Sequence, residues 1–244
     1  MVAWFLAPFW FPLASLYMRV RFGCRIEDLS ASRRLYRSIR AESSAPLLIC
    51  ANHLTLVDSL FIAQALSPNW RFVLDFDSLP WNTPEEVNFA NTPISRALVY
   101  VAKCIPIRRG GQREDVKVVL DRIGHLLARG EVAILFPEGG RSRSGRVDPE
   151  STGWGVGRVV AAVEGCRVLC VYMRGDAQKT WSAYPARGDR LRVSLALIQP
   201  KSDARGVRRT RDLSMQVIGQ LAEMETAYFA GRPALSAQEP GGSP

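Results

Sequence analysis

The chain has 244 residues, of which 47% are hydrophobic and 23% charged, so it can form one large globular domain with a sizeable core. Its net charge of +9 requires an anionic partner such as nucleic acid, an acidic membrane surface or a phosphorylated substrate, and charge alone does not choose among these. The five cysteines are odd in number and mostly lie in apolar runs, which favours buried reduced thiols over disulfides or a zinc site.

The segment from Val2 to Met18 is uncharged and rich in aromatic residues. Its length is at the lower limit for crossing a bilayer, and Pro8 and Pro12 are expected to interrupt a regular helix. Three basic residues that would hold the next segment on the cytoplasmic side follow at once: Arg19, Arg21 and Arg25. We therefore expect a membrane anchor, spanning or half-inserted. The alternative is a hydrophobic arm packed on the domain.

A basic helix is predicted over Glu27–Arg40, where four arginines occur. Such a run is usually a solvated face, but beside a hydrophobic anchor it could also lie against anionic headgroups. Residues 1–40 are therefore expected to form a hydrophobic N-terminal anchor followed by a basic helix.

Apolar runs typical of strands alternate with helical patterns in the rest of the chain. Strands are predicted at Pro46–Cys50, Arg71–Phe76, Cys104–Ile107, Val132–Phe136, Arg167–Met173 and Leu191–Ile198. Helices are predicted at Thr55–Leu66, Ile94–Lys103, Arg113–Arg129, Trp154–Glu164 and Gly206–Ala230. This alternation predicts a single α/β domain over residues 41–231, with a mixed, largely parallel β-sheet flanked by helices. Residues 232–244, rich in Pro, Ala, Ser and Gly, are expected to be a disordered tail.

The chain contains two histidines, one in a predicted helix and one directly after a predicted strand. His125 lies among the polar positions of a predicted helix and is expected at the surface. His53 follows the first buried strand, where a parallel sheet exposes reactive side chains. Asp58 lies five residues later, a spacing that would place the two side chains about 140° apart on one helix. They can pair only if His53 lies on the turn and Asp58 in the first turn of the helix.

The segment Thr55-Leu56-Val57-Asp58 also has the form of a capping box. Asp58 is therefore either a helix cap, the residue that orients His53 as a general base, or both. A protein nucleophile is not evident, because Gly140–Ser144 fails the last position of the G-x-S-x-G motif and the cysteines lie in apolar runs. The pattern suggests that a substrate hydroxyl attacks directly.

Two loops at predicted strand ends combine arginine with glycine. One is Ile105–Gly111, with Arg108 and Arg109, and the other is Phe136–Ser142. Arginine suits the bidentate geometry of phosphate, and glycine-rich turns can direct N–H groups at an anion. As bare patterns these loops indicate anion binding only weakly.

Taken together, these residues resemble the motifs of the PlsC-like glycerolipid acyltransferases, the lysophosphatidic acid acyltransferase family. His53 and Asp58 match its N-H-x-x-x-x-D motif. Ile105–Arg109 is similar to its second motif, and Phe136–Ser142 is similar to its F-P-E-G-T-R-S motif. Val168–Gly175 resembles the fourth motif, V-x-P-V-x-x-x-G. The four motifs occur in the family's order.

The resemblance covers about residues 46–200 and implies an activity. His53 would be the general base on the acceptor hydroxyl and Asp58 its orienting partner. The hydroxyl would attack the thioester of acyl-CoA or acyl-carrier protein without an acyl-enzyme, a cofactor or a metal. The implied substrate-binding residues are Arg108, Arg109, Glu138, Gly139, Gly140, Arg141 and Ser142. The acceptor expected first is 1-acylglycerol-3-phosphate, giving phosphatidate.

The same resemblance implies membrane lipids as partners. We expect a membrane-associated protein whose catalytic domain lies on the cytoplasmic side, where the arginines after the hydrophobic segment would hold it. No nucleic-acid partner is expected, because the sequence has no helix-turn-helix, zinc knuckle or RNA-binding motif.

Several positions depart from the family pattern. Asp75 stands where members often carry a lysine, and an acid beside a phosphate subsite is unfavourable by Coulomb's law. Gly140 replaces the usual threonine, Cys170 a proline, and Arg108 a common aspartate. Either Arg108 and Arg109 hold the phosphate alone, or the acceptor is another lipid or a pathway-specific hydroxyl.

Overall fold

The computed structural model describes residues 2–108, 110–150 and 152–231. Within them the helices are α1 (Val2–Phe22), α2 (Leu29–Glu42), α3 (Asp58–Leu66), α4 (Asn69–Leu74), α5 (Glu86–Phe89), α6 (Pro93–Val101), α7 (Arg113–Ala128), α8 (Gly155–Ala162) and α9 (Gly206–Phe229). The strands are β1 (Arg25–Ile26), β2 (Leu47–Ala51), β3 (Val132–Leu135), β4 (Arg167–Gly175) and β5 (Arg190–Ile198). The tail predicted for residues 232–244 lies outside this description.

The five strands form one sheet in the order β1-β5-β4-β2-β3. The pairs β1–β5, β2–β4 and β2–β3 are parallel, whereas β4–β5 is antiparallel. The predicted α/β fold with a mixed, largely parallel sheet is therefore confirmed. Because β2, β3 and β4 run in the same direction, the segments that follow them emerge at one edge of the sheet.

The strand side chains alternate between two hydrophobic layers, as the twofold period of a β-strand requires. Leu48 and Cys50 of β2 pack with the buried faces of α7, α8 and α9. Leu47 and Ile49 of the same strand face the opposite layer, which contains buried residues of α1, α2 and α3. The sheet is thus covered on both faces, which explains why its central strands are apolar throughout.

The first helix differs from its prediction. Pro8 and Pro12 lie inside α1 without interrupting it, so the predicted break is wrong. Tertiary packing explains the continuity, because Phe11 is buried and its ring stacks on Phe72 with centroids 5.8 Å apart. One face of α1 therefore packs on the domain. The opposite face exposes large apolar side chains: Val2, Phe5, Phe9, Leu13, Leu16, Tyr17 and Val20. Among the described residues, no helix has the length and apolar character needed to cross a membrane.

The predicted strand at Arg71–Phe76 is wrong. Its first residues belong to α4, and a short 3-10 turn at Phe76–Ser78 follows. A short apolar run cannot be assigned to strand or helix by periodicity alone, and here the burial of Phe72 against α1 decides for a helix. The predicted strand at Cys104–Ile107 is also absent from the sheet, because this segment forms only isolated bridges with Asn82 and Glu85.

A buried ion pair holds the long connection between α4 and α7 against the sheet. Lys103 Nζ lies 2.9 Å from a carboxylate oxygen of Glu131 and donates to the Phe76 carbonyl at 2.9 Å. Burial lowers the pKa of Lys103, while Glu131 opposes that shift. Trp81 donates to the same carboxylate at 2.6 Å, so one acid satisfies two buried donors. This arrangement fixes the start of the segment that leads to Arg108.

The other predicted helices and strands are confirmed, with ends that shift by a few residues. In α7 the side chains of Leu120, Ile123 and Leu127 are buried as the helical period predicts, and His125 is exposed. The helix predicted at Thr55–Leu66 begins three residues later, at Asp58.

We predict that Gly157→Ala destabilises the protein by roughly 1–3 kcal/mol or more. A Cβ at Gly157 would lie 1.9 Å from the Thr210 carbonyl oxygen and 2.6 Å from the Ser214 hydroxyl, so α8 and α9 would have to separate. The Ser214 hydroxyl also accepts the Gly157 N–H at 2.9 Å. Urea-induced unfolding measures the change in the free energy of unfolding.

Gly219→Ala is the matched control for this substitution. Gly219 is also helical, but a Cβ added there would have no described atom of a neighbouring element within 4 Å. We expect this variant to be neutral or more stable by up to about 1 kcal/mol, because alanine favours the helix. Equal stabilities for the two variants would contradict the close approach of α8 and α9.

Candidate active site

The turn after β2 is fixed to β4 by an asparagine side chain. Asn52 donates from Nδ2 to the Met173 carbonyl at 3.0 Å and accepts the Met173 N–H on Oδ1 at 2.8 Å. The side chain thus replaces one residue of backbone pairing at the end of the parallel ladder. Because Asn52 is itself buried, the chain leaves the sheet at a fixed point with His53 next in line.

The carboxylate of Asp58 organises this turn. It accepts the backbone N–H groups of Leu54 at 2.6 Å and Thr55 at 2.8 Å, and the Thr55 hydroxyl at 2.5 Å. Its Oδ2 also lies 3.0 Å from His53 Nδ1, and both side chains are buried. A negative charge at the first residue of α3 is favourable beside the positive end of the helix dipole. The structure therefore brings together the pair that the sequence predicts.

The predicted capping box is only half formed. Asp58 reaches back to the Thr55 N–H, as the acid of a capping box does. The Thr55 hydroxyl, however, donates to the same carboxylate instead of accepting the Asp58 N–H. The two alternatives for Asp58 thus describe one arrangement, in which the carboxylate orders the turn and contacts the imidazole at once.

This arrangement sets the tautomer of His53. An ionised carboxylate only accepts hydrogen bonds, so the proton is on Nδ1 and Nε2 keeps its lone pair. The ring stacks on Phe136 with centroids 4.1 Å apart and planes 21° apart, which restricts its rotation. The His53 carbonyl accepts the Ser142 N–H at 2.9 Å. A general base needs an oriented imidazole with one free nitrogen, and His53 has that form.

Glu138, in the loop after β3, lies against the turn of residues 52–58, which we call the catalytic turn because it carries the candidate base His53. Its Oε1 accepts the His53 backbone N–H at 3.3 Å. Burial raises the pKa of Glu138 to about 7; the hydrogen bond from His53 opposes the shift, and nearby carboxylates, including Glu225 and Asp58, add to it. Glu138 therefore changes charge near neutral pH while its carboxylate contacts the backbone of His53.

The remaining predicted residues of this loop have different environments. Gly139 adopts φ +65°, a backbone conformation that favours glycine, and Gly140 is half-buried. The Ser142 hydroxyl is used within the loop, where it donates to the Arg146 carbonyl and accepts the Arg146 N–H at 3.1 Å. Ser142 therefore shapes the loop through contacts inside it.

Arg141 connects this loop to the segment that follows β4. Its Nη1 donates to the Ser182 carbonyl at 3.1 Å, and its guanidinium lies 4.5 Å from the centre of the Trp181 ring. The Ser182 N–H in turn donates to the Leu54 carbonyl at 3.0 Å. The segment with Trp181 and Ser182 therefore borders the catalytic turn. The sequence motifs did not reveal it, although a tryptophan shortly after the fourth motif was an available signal.

A buried ionic network joins both loops to the C-terminal helix. Glu225 of α9 accepts the Val147 N–H at 3.1 Å, the Tyr172 hydroxyl at 3.2 Å and Arg146 Nε at 3.2 Å. Arg174, at the end of β4, donates to the Gly145 carbonyl and lies 4.0 Å from the Glu225 carboxylate. A charged residue among the apolar positions of α9 was the only sequence signal for Glu225.

Arg174 also holds the segment after β4. Its Nη2 donates to the carbonyls of Gln178 at 2.6 Å and Lys179 at 3.0 Å. The two loops touch directly at Gly145, where an added Cβ would lie 2.5 Å from the Lys179 carbonyl oxygen. One guanidinium thus fixes the spacing of the two loops that flank the catalytic turn.

The second-motif residues are not placed beside His53 by any contact of the described chain. Arg108 is exposed, and its carbonyl accepts the Gly111 N–H at 3.1 Å. Arg109 lies outside the described residues. Asp75 lies 3.9 Å from the Arg40 guanidinium, at the end of α4. Its described hydrogen bonds and ion pair are with α2, α4 and the following 3-10 turn, and none of them joins it to the catalytic turn.

The cysteines do not supply a nucleophile within the described chain. Cys50, Cys166 and Cys170 are buried, and Cys24 and Cys104 are half-buried. Burial raises the pKa of Cys166 to about 11 and that of Cys104 to about 12, so their thiols stay protonated near neutral pH. No group of three or more potential metal ligands occurs among the residues that the structure describes.

Comparison with known proteins gives one finding. A family model described as "Acyltransferase" matches residues 32–174, which is more than half of the chain. The match includes β2, β3, the catalytic turn and most of β4, and it ends before the segment with Trp181 and before α9. No curated protein matches the chain.

We predict that Glu138→Gln changes the pH dependence of stability. The pKa of Glu138 is raised from 4.5 to about 7 in the folded protein, so its ionisation opposes folding as the pH rises between these values. Glu138→Gln cannot ionise, so the variant does not lose this stability, and its side-chain oxygen can still accept the His53 N–H. Its stability relative to wild type should therefore increase by roughly 1–3 kcal/mol between about pH 4.5 and 7, then stay constant. Melting temperature across this range is the measurement.

Glu150→Gln serves as the control, because Glu150 is an exposed acid of the following loop. This variant should show the same pH dependence as wild type. If Glu138→Gln also parallels wild type, the raised pKa of Glu138 is wrong.

Proposed function

Because the chain belongs to the acyltransferase family, the family of PlsC and 1-acylglycerol-3-phosphate acyltransferases, we propose that it moves a fatty acyl chain from an acyl thioester to the hydroxyl of a lysophospholipid. The observation that carries this proposal is the buried contact between His53 Nδ1 and the Asp58 carboxylate at 3.0 Å. This contact leaves Nε2 of His53 to act as the base. A base that activates the acceptor hydroxyl directly needs no protein nucleophile. The acceptor proposed first is 1-acylglycerol-3-phosphate, with phosphatidate as the product.

The reaction follows from the state of the imidazole. His53 Nε2 takes the proton of the acceptor hydroxyl while the oxygen attacks the thioester carbonyl, and Asp58 stabilises the imidazolium that forms. The attack forms the new C–O bond of a tetrahedral intermediate, whose collapse restores the carbonyl and breaks the C–S bond. His53 returns the proton to the departing thiolate. Acid–base catalysis of this kind contributes typically about 10²–10⁴-fold to the rate.

Arg141 is the residue of the third motif best suited to bind the acceptor headgroup. It is half-buried, lies beside the catalytic turn and is oriented by its contacts with Trp181 and the Ser182 carbonyl. A guanidinium fixed in this way binds phosphate with little further loss of side-chain freedom. Glu138 and the backbone at Gly139 and Gly140 would contact the glycerol part of the acceptor.

A second candidate acceptor is another lipid or a pathway-specific hydroxyl. The observation that favours it is the exposed position of Arg108, which has no described contact with the catalytic turn. The two candidates share the same chemistry at His53 and differ only in the acceptor headgroup.

We propose acyl-CoA or acyl-carrier protein as the donor and no cofactor or metal ion in the reaction. Both donors are anionic, and the net charge of +9 would attract them. Nucleic acid is not a proposed partner. Membrane lipids are, because the acceptor of this reaction resides in a membrane.

We also propose that the protein associates with the membrane through α1, with the catalytic domain on the cytoplasmic side. One face of α1 is buried against α4, and the other exposes large apolar side chains. Arg19 and Arg21 follow in its last turn. A helix that packs one face on its domain and exposes an apolar face can lie in the membrane interface, with the exposed face toward the acyl chains.

We predict that His53→Ala lowers the rate of acyl transfer by at least about 10²–10⁴-fold while preserving the fold. Asp58→Asn should lower the rate strongly and also cost roughly 0.5–2 kcal/mol of stability, because its carboxylate orders the turn. The rate of thiol release from the acyl donor and the melting temperature are measured together. His125→Ala, at the exposed histidine of α7, is the control and should retain full activity. Undiminished turnover by His53→Ala would remove the mechanism.

The acceptor is identified by offering the purified protein an acyl thioester with a panel of acceptors. We expect thioester consumption with 1-acylglycerol-3-phosphate. Consumption with a different lysolipid or hydroxyl, and none with 1-acylglycerol-3-phosphate, would support the second candidate. No consumption with any acceptor would contradict acyl transfer itself.

We predict that replacing three exposed residues of α1, in the variant Phe5→Ser, Phe9→Ser and Leu13→Ser, lowers the fraction of protein that sediments with membranes. The side chains are 64%, 69% and 66% exposed, so the fold should be preserved. A control replaces exposed valines of α7 and α9, in the variant Val118→Ser and Val207→Ser. Unchanged sedimentation of the α1 variant would contradict interfacial binding by this face.

A further inference from the structure

A basic cavity lies between α2 and α4, apart from the catalytic turn. Its volume is about 250 Å³. Four arginines line it: Arg33, Arg37, Arg40 and Arg71. One acid, Asp75, lines it as well, so the charge around the cavity is strongly positive. None of its lining residues belongs to the motifs that surround His53.

Most of this positive charge is not neutralised within the described chain. Asp75 is exposed, and its ion pair is with Arg40, at 3.9 Å. Arg33 donates to the Gln64 carbonyl at 2.8 Å, a neutral acceptor that leaves its charge in place. Arg37 and Arg71 form no ion pair among the residues that the structure describes. A group of like charges held around one cavity is unfavourable unless an anion occupies it.

Two of the arginines that line the cavity are oriented by contacts within the described chain, as a site for an anion with several oxygens requires. Arg33 is held by its two bonds to the Gln64 carbonyl, and Arg71 lies 5.0 Å from the ring of Trp70. Two other lining residues are joined to each other, because the buried Tyr36 hydroxyl donates to the Ser78 carbonyl at 3.2 Å. Guanidinium groups held in place bind phosphate oxygens in bidentate geometry.

The surroundings of the cavity indicate that the anion belongs to a lipid. Trp70 and Leu74 of α4 line its rim and are 58% and 78% exposed. Both also line a larger groove of about 1110 Å³ between α1, α2 and α4, whose other walls are mainly apolar. A basic cavity that opens onto an apolar groove matches the two parts of a phospholipid.

We propose that this cavity binds the phosphate headgroup of an anionic glycerophospholipid of the membrane leaflet. Trp70 and Leu74 would contact its acyl chains, which the 250 Å³ cavity is too small to hold. The inference rests on the membrane association proposed above. The site would hold α2 and α4 at the headgroup level, so it orients the domain on the membrane in addition to the apolar contact of α1.

The test uses the full chain with Arg37 and Arg71 both changed to Gln, since neither side chain loses an ion pair of the described chain. Binding is measured by sedimentation with phosphatidylcholine vesicles that contain or lack phosphatidylglycerol. We expect the variant to bind anionic vesicles roughly tenfold or more weakly than wild type, since each basic residue near the surface contributes several-fold. Binding to neutral vesicles should be unchanged.

Two further variants separate a site from a general effect of charge. Arg208→Gln with Arg209→Gln removes the same charge from exposed positions of α9 and should reduce anionic binding much less. Arg37→Lys with Arg71→Lys keeps the charge and should restore at least part of the binding. Equal losses in the α2–α4 and α9 variants would overturn the proposal. Melting temperatures confirm that each variant is folded.

Two more outcomes distinguish the ligand. If inorganic phosphate raises the melting temperature of wild type as much as a short-chain phosphatidylglycerol does, the cavity binds free phosphate and the lipid assignment is wrong. If the variant loses affinity for a DNA duplex in parallel with vesicles, the cavity binds phosphodiesters of either kind and the assignment is again wrong.

Failure of this inference is distinguishable from failure of the proposed reaction. Acyl transfer measured in detergent micelles, without anionic vesicles, reports on His53 and not on the cavity, so the Arg37 and Arg71 variant should match wild type there. A variant that loses turnover in micelles would show that the arginines act in the reaction, which contradicts a separate headgroup site.

Discussion

The candidate site depends on the hydrogen bonds that the buried carboxylate of Asp58 accepts. It accepts hydrogen bonds from two backbone N–H groups and the Thr55 hydroxyl, and it contacts His53. If the carboxylate were lost, its buried donors would have no acceptor, at a cost of about 1–3 kcal/mol for each unsatisfied group. The turn therefore cannot relax without also losing the orientation of the imidazole. Stability of the turn and readiness of the base have the same physical origin.

The loops beside this turn are held from the opposite side of the sheet. Glu225 on the last helix and Arg174 at the end of β4 hold the two loops that carry Arg141 and Trp181. The bonds of Glu225 join residues more than fifty positions apart. The C-terminal helix is therefore part of the support of the site, although it lies outside the segment that matches the family. Buried ionic networks of this kind hold loops at fixed spacing because their members satisfy one another.

The molecule presents two chemically different regions. The catalytic turn lies where β2, β3 and β4 end, and it carries the imidazole of His53 in contact with the Asp58 carboxylate. The region formed by α1, α2 and α4 combines exposed apolar side chains with the basic cavity around Arg37 and Arg71. Helix α3 joins the two, since Asp58 begins it and Phe61 packs toward α1 and α2. The proposed acyl transfer at a membrane would use both regions within one domain.

The spacing of residues in the sequence was enough to predict most of the secondary structure and the pairing of His53 with Asp58. The twofold and 3.6-residue periods predicted the main strands and helices, and the distance from His53 to Asp58 predicted their pairing across a turn and a helix start. Tertiary structure decided the rest. Phe72 packs on α1 and makes the start of Arg71–Phe76 helical, and the same packing carries α1 through its two prolines. The roles of Glu225 and of the cavity arginines depend on long-range contacts, which no short pattern in the sequence encodes.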